Sequence, residues 1–173
     1  MLMSVIEWLS QTPLSLAIQT NRWVVPTIQS IHIVAIGVVV SSVFMIDLRV
    51  LGWAGRDQTL ADTVARFGPW LTWSLAVLLV TGILMVVGEP ARELLAFSFW
   101  LKMGLVAIGT VIATAFRIAL RRHERRWEES IVDRRSTKSL AVATLIIWVG
   151  IIILGRLIAY DHIWGAWSMA PKA

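Results

Sequence analysis

Three ionisable side chains stand inside otherwise apolar stretches: His32 in IQSIHIVAIG, Lys102 in FWLKMGL and Arg156 in IIILGRLIAY. A charge held in hydrocarbon costs at least about 2.5–3.5 kcal/mol, so each of the three requires a partner, a route to water or a ligand. Neutral imidazole in the core of a helix bundle is a ligand for haem iron, and haem propionates need cationic partners. His32 is therefore a candidate axial ligand, with Lys102 and Arg156 as candidate propionate partners and haem b as the expected cofactor. Gln29 lies on the same helical face as His32 and is placed to orient the imidazole by a hydrogen bond. Lacking a second His inside the spans, the iron would be five-coordinate, or take Met103, or use a ligand from a partner chain. Met103 points roughly a hundred degrees away from Lys102 around the helix, which disfavours it.

Copper is an alternative, held by His32, His162 and a Met as borderline and soft ligands, although no His-x-His pair occurs. A third class needs no cofactor: a membrane anchor or assembly subunit whose polar residues tie helices together. The chain has no cysteine, which excludes disulfides, thiolate metal sites, iron–sulfur clusters and thiol nucleophiles. No acid–base pair or nucleophile stands out, so whether the protein is an enzyme stays open. Each polar residue also has a plainer reading. Lys102 and Arg156 can snorkel, His123 sits in a basic connection, and His162 beside Asp161 reads as an interfacial residue.

The elements that must position these groups are helices in a bilayer. Of 173 residues, 57% are hydrophobic and only 16% charged, with a mean hydropathy of +0.73, too much apolar surface for a water-soluble fold. Ten tryptophans fall mostly near the ends of apolar runs, where amphipathic rings settle at headgroup level. Four apolar runs, 24–46, 68–87, 95–116 and 140–160, each approach the ~20 residues needed to cross a bilayer. The expected fold is all-α: an integral membrane four-helix bundle, up-down-up-down, spanning 23–160. Residues 1–22 lack the basic n-region of a signal peptide, and Val5, Ile6, Trp8, Leu9 and Leu16 predict short amphipathic pieces at the interface. Residues 161–173 form a C-terminal tail.

Loop charge orients the bundle. The third connection carries Arg117, Arg121, Arg122, Arg125, Arg126, Arg134, Arg135 and Lys138, whereas the Gly88–Glu93 turn has Arg92 alone. The positive-inside rule places the basic 117–138 loop in the cytoplasm and both termini in the periplasm, for a multi-pass protein of the bacterial inner membrane. Pairs such as Arg125 and Glu129 at helical spacing predict that this loop extends the third helix into water. The net charge of +5 follows topology and anionic lipid, not nucleic acid. Measured from each span's centre, His32, Lys102 and Arg156 lie about 5, 6 and 9 Å outside the midplane, in one half of the bilayer. The second span crosses that slice near Thr81 and Gly82, where small side chains leave room for a ligand. The expected partners are lipid, a redox partner or a second copy of the chain.

The stretches WVVPTIQSIHIVAIGVVVSSVFMIDLRVLG, FWLKMGLVAIGTVIATAFR and WVGIIILGRLIAY resemble a bacterial family of four-helix membrane proteins carrying a domain of unknown function, over Trp23 to Tyr160. More distantly, the His early in the first span and the Leu-Lys of the third are similar to the copper-resistance protein D (CopD) family and the HemJ-type protoporphyrinogen oxidases. The latter resemblance implies a haem-binding, porphyrin-handling core, with His32 as axial ligand and Lys102 as propionate partner or catalytic residue. The first span ends in MIDLRVLG, not in the Trp-rich, Pro-Arg-containing segment of the HemJ kind, a departure that bears on oxidase activity.

Overall fold

The computed structural model describes residues 1–122 and 135–158. In hydrocarbon no water satisfies backbone N–H and C=O groups, so an apolar run must bond to itself, and these runs do so as helices. In chain order the helices are α1 (Leu2–Ser10), α2 (Pro13–Thr20), α3 (Val24–Leu51), α4 (Leu60–Gly88), α5 (Pro90–Leu94), α6 (Phe97–Arg122) and α7 (Arg135–Ile158). Four stretches are long and apolar enough to cross a membrane: α3, α4, Phe97–Phe116 of α6 and Thr137–Ile158 of α7. The protein is an all-α integral membrane four-helix bundle.

The spanning helices overrun the apolar runs read from sequence. α3 continues through the charged DLR segment to Leu51, where Gly52 at φ 74° ends it in the left-handed conformation. Gly52 N–H bonds to the Arg49 carbonyl at 3.1 Å and Trp53 N–H to that of Leu48 at 3.0 Å, capping two orphan acceptors. α4 begins at Leu60, ahead of the expected residue 68, because Thr59 and Asp62 form a reciprocal capping box. At 28 and 29 residues these helices reach about 42 Å, against a hydrocarbon thickness of about 30 Å. α7 likewise starts early, at Arg135, and α6 runs on through Arg122 into the basic connection, as the charge spacing predicts. The rest of that connection and the C-terminal tail lie outside the described residues.

The N-terminal pieces form as two short helices. α2 docks against the end of α4: Ser15 Oγ donates to the Val87 carbonyl at 2.7 Å, and the Ile18 side chain fills the space that Gly88 leaves.

Packing is uneven around the bundle. α3 packs most extensively on α4, α6 on α7, and α3 on α7, while α4 and α6 meet only sparsely. The spatial order is therefore α4, α3, α7, α6, with a seam between α4 and α6. Three buried clusters fill the interior: Ile46, Val50, Leu60, Val64 and Ala141 at one end; Val39, Val43, Leu71, Trp148 and Ile151 in the middle; Ala96, Phe99 and Ile158 at the other. Small residues let the backbones approach. A Cβ at Gly109 would stand 3.5 Å from Ile147 and 3.6 Å from Trp148, and one at Gly150 3.6 Å from Leu105. The outward faces stay apolar, with Ile33, Val34, Leu79, Val111 and Ile146 all more than half exposed, a surface suited to lipid.

Candidate functional site

His32 is half-buried on α3 and faces α4. Its Nδ1 stands 2.7 Å from Thr81 Oγ1. The Thr81 hydroxyl also lies 2.7 Å from the Val77 carbonyl one turn back, and it has a single hydrogen to give. With that hydrogen on the carbonyl, the Thr81 oxygen accepts and His32 Nδ1–H donates. In that arrangement Nδ1 carries the proton and Nε2 keeps its lone pair; a Thr81 hydrogen given to Nδ1 instead reverses the two roles. The next ring atom, Cε1, faces Gly82, where a Cβ would sit 3.7 Å away. α4 thus occupies the Nδ1 and Cε1 edge of the ring and makes no hydrogen bond to Nε2.

Lys102 lies on α6 within electrostatic range of His32. Its aliphatic stem passes over Gly155 of α7, where a Cβ would meet Cδ at 3.7 Å, and its ammonium stands 5.4 Å from the centroid of the Phe99 ring. Glu93 of α5 is also in electrostatic range of Lys102, buried and bridged by Arg92 at 3.6 Å, while Arg92 pairs with Glu89 at 2.6 Å. Burial holds the Glu93 carboxyl above the usual carboxylate range, with Lys102 and Arg92 pulling in the opposite direction. Ser98, one turn before Lys102 on α6, is buried, and its Oγ has no hydrogen-bond partner among the described residues.

Of the residues expected from sequence, His32 bonds to Thr81 beside Gly82, and Lys102 lies within electrostatic range of His32 without a direct contact to it among the described residues. Gln29 is half-buried, and the orienting bond expected from it is made by Thr81 across the α3–α4 interface. Arg156 is exposed, next to the Gly155 that supports Lys102. Met103 is 39% exposed. His123 and His162 lie outside the described residues. Among the described residues no group of three or more His, Asp or Glu is arranged to hold a metal ion.

Glu93 escapes sequence reading because it belongs to a short helix of its own. No helical periodicity relates it to Lys102, and only its neighbour Arg92 entered the count of loop charge.

The model of a family of unknown function, DUF6644, matches residues 5–161. The chain belongs to this family. The match takes in α1 through α7, so the DUF6644 unit includes the two N-terminal helices as well as the four spans. Neither the curated proteins nor the solved structures give a match, and nothing links this DUF6644 chain to the CopD or HemJ families.

Proposed function

We propose that this DUF6644 protein is a small b-type haem protein of the bacterial inner membrane that passes electrons or handles porphyrin or quinone. The observation that carries the reading is the His32–Thr81 bond. With the Thr81 hydrogen on the Val77 carbonyl, the Nδ1–H is committed to a hydrogen bond and no described residue bonds to Nε2, which is the tautomer and orientation of an iron-ligating histidine. Lys102, within electrostatic range, supplies a cation for a propionate, and Arg156 near the end of α7 supplies another.

In this reading the residues divide the work. His32 would hold the iron, Thr81 would fix the imidazole plane, and Lys102 and Arg156 would supply cations for the propionates. A haem held this way supplies one-electron redox chemistry at the depth of His32. With both termini periplasmic and the 117–138 connection cytoplasmic, the site lies in the outer half of the bilayer.

Haem and metal content of the purified protein test the proposal. The expected result is about one haem per chain or per pair of chains, measured as the pyridine haemochrome, from haem-replete cells. A stoichiometric copper signal without haem would favour the copper reading. A preparation with neither, recovered with a larger complex, would favour an assembly subunit.

A further inference from the structure

At the end of the bundle opposite His32, all four spanning helices line a pocket that is partly open to the surroundings. Its walls are almost wholly apolar: Val43 and Ile46 of α3, Val64 and Leu71 of α4, Ala113 and Phe116 of α6. Among these stands Asp47, 7% exposed, with Oδ2 shielded from solvent and lacking any hydrogen-bond partner. Thr144, which also lines the pocket, gives its one hydrogen to the Leu140 carbonyl at 2.6 Å, so toward the pocket it offers only oxygen. Among the described residues, nothing donates to Asp47.

The ionised form of a buried carboxyl without a donor or counter-ion is costly, and a bound cation that brings the missing N–H groups offsets that cost. The pocket presents the Asp47 carboxyl, with the Thr137 and Thr144 hydroxyls, inside an apolar shell, so its complement is a donor on an apolar body. We infer that this pocket binds a lipophilic primary ammonium compound, its N–H groups directed at Asp47 and its hydrocarbon against the aliphatic walls. This site is separate from the His32 site and does not depend on haem.

Equilibrium dialysis of n-octylamine against the purified full chain in detergent micelles, with protein-free micelles as reference and 1-octanol as the neutral match, tests the inference. The expected result is saturable binding of one octylamine per chain and no saturable binding of octanol. Two variants should each weaken octylamine binding by at least about tenfold: Asp47→Asn, which removes the charge, and Ala113→Leu, which fills the pocket and keeps the carboxylate. Absence of saturable octylamine binding to the wild-type chain would overturn the inference, as would equal binding of octanol. If Asp47→Asn does not fold, Ala113→Leu decides: undiminished binding by that variant overturns the site.

Discussion

Thr81 Oγ1 is placed 2.7 Å from His32 Nδ1 and 2.7 Å from the Val77 carbonyl, so one hydroxyl joins α3 to α4 and holds the imidazole by its Nδ1 edge. Valine has nearly the shape of threonine and lacks the oxygen. Thr81→Val should therefore leave the fold intact, free the ring to rotate and change tautomer, and weaken haem retention by roughly tenfold to a hundredfold. Haem transfer to an excess of apomyoglobin measures the loss. Retention equal to wild type would show that Thr81 does not orient the ligand.

Glu93 gives the protein a pH dependence outside the membrane spans. Its pKa is raised from 4.5, chiefly by burial, so the folded state disfavours its ionised form. The contribution of Glu93 is fully present below 4.5 and is lost as pH rises through the raised folded value. Lys102, Arg92 and Glu89 face it and shape that window. Glu93→Gln should flatten the profile and melt higher than wild type above the window. Thermal unfolding in detergent as a function of pH checks this, and a wild-type profile flat across the window would contradict it.

The junction of α2 with α4 leaves no room for a side chain at Gly88. A Cβ there would lie 2.7 Å from Ile18 Cγ2, a branch fixed to its own backbone that cannot swing aside. Gly88→Ala should cost about 1–3 kcal/mol through overpacking. Combining it with Ile18→Ala should recover part of the loss, a coupling measured by a double-mutant cycle of unfolding free energies. Additive effects would mean that the two residues do not meet.

Gly109 behaves differently, since a Cβ there makes ordinary contacts of 3.5–3.7 Å with Ile147 and Trp148. Gly109→Ala should be neutral or stabilising by up to about 1 kcal/mol, because alanine loses less backbone freedom on folding. Gly109→Leu should force α6 from α7 and lower the melting temperature. The pair of melting curves separates close packing from mere helix propensity.

The four spans are legible in the sequence because hydrocarbon leaves a long apolar run little choice but a helix. Their ends are less so. Asp47 and Arg49 look like the limit of the first span, yet the helix passes them and stops only where Gly52 supplies a positive φ. The shared depth of His32, Thr81, Gly82 and Lys102 follows from counting residues along each span. Which groups bond to one another depends on helix rotation, and a single helical face carries no record of its partner's. That is why the sequence points to Gln29, on the same face of α3, as the residue that holds the imidazole, whereas Thr81 of α4 does. Asp47 is hidden for a related reason: beside Arg49 it reads as an ordinary charged helix end, and only the packing shows that it turns into an apolar pocket.

The central claim, that His32 Nε2 is the axial ligand of a haem, is tested most directly by paired absorption spectra of the wild-type chain and His32→Ala. Both would be purified in detergent from haem-replete cells and matched for monodisperse elution. The account predicts a Soret band in the wild type, shifted on reduction, and its loss in His32→Ala. A colourless wild-type protein, or a Soret band that survives unchanged in His32→Ala, would contradict it.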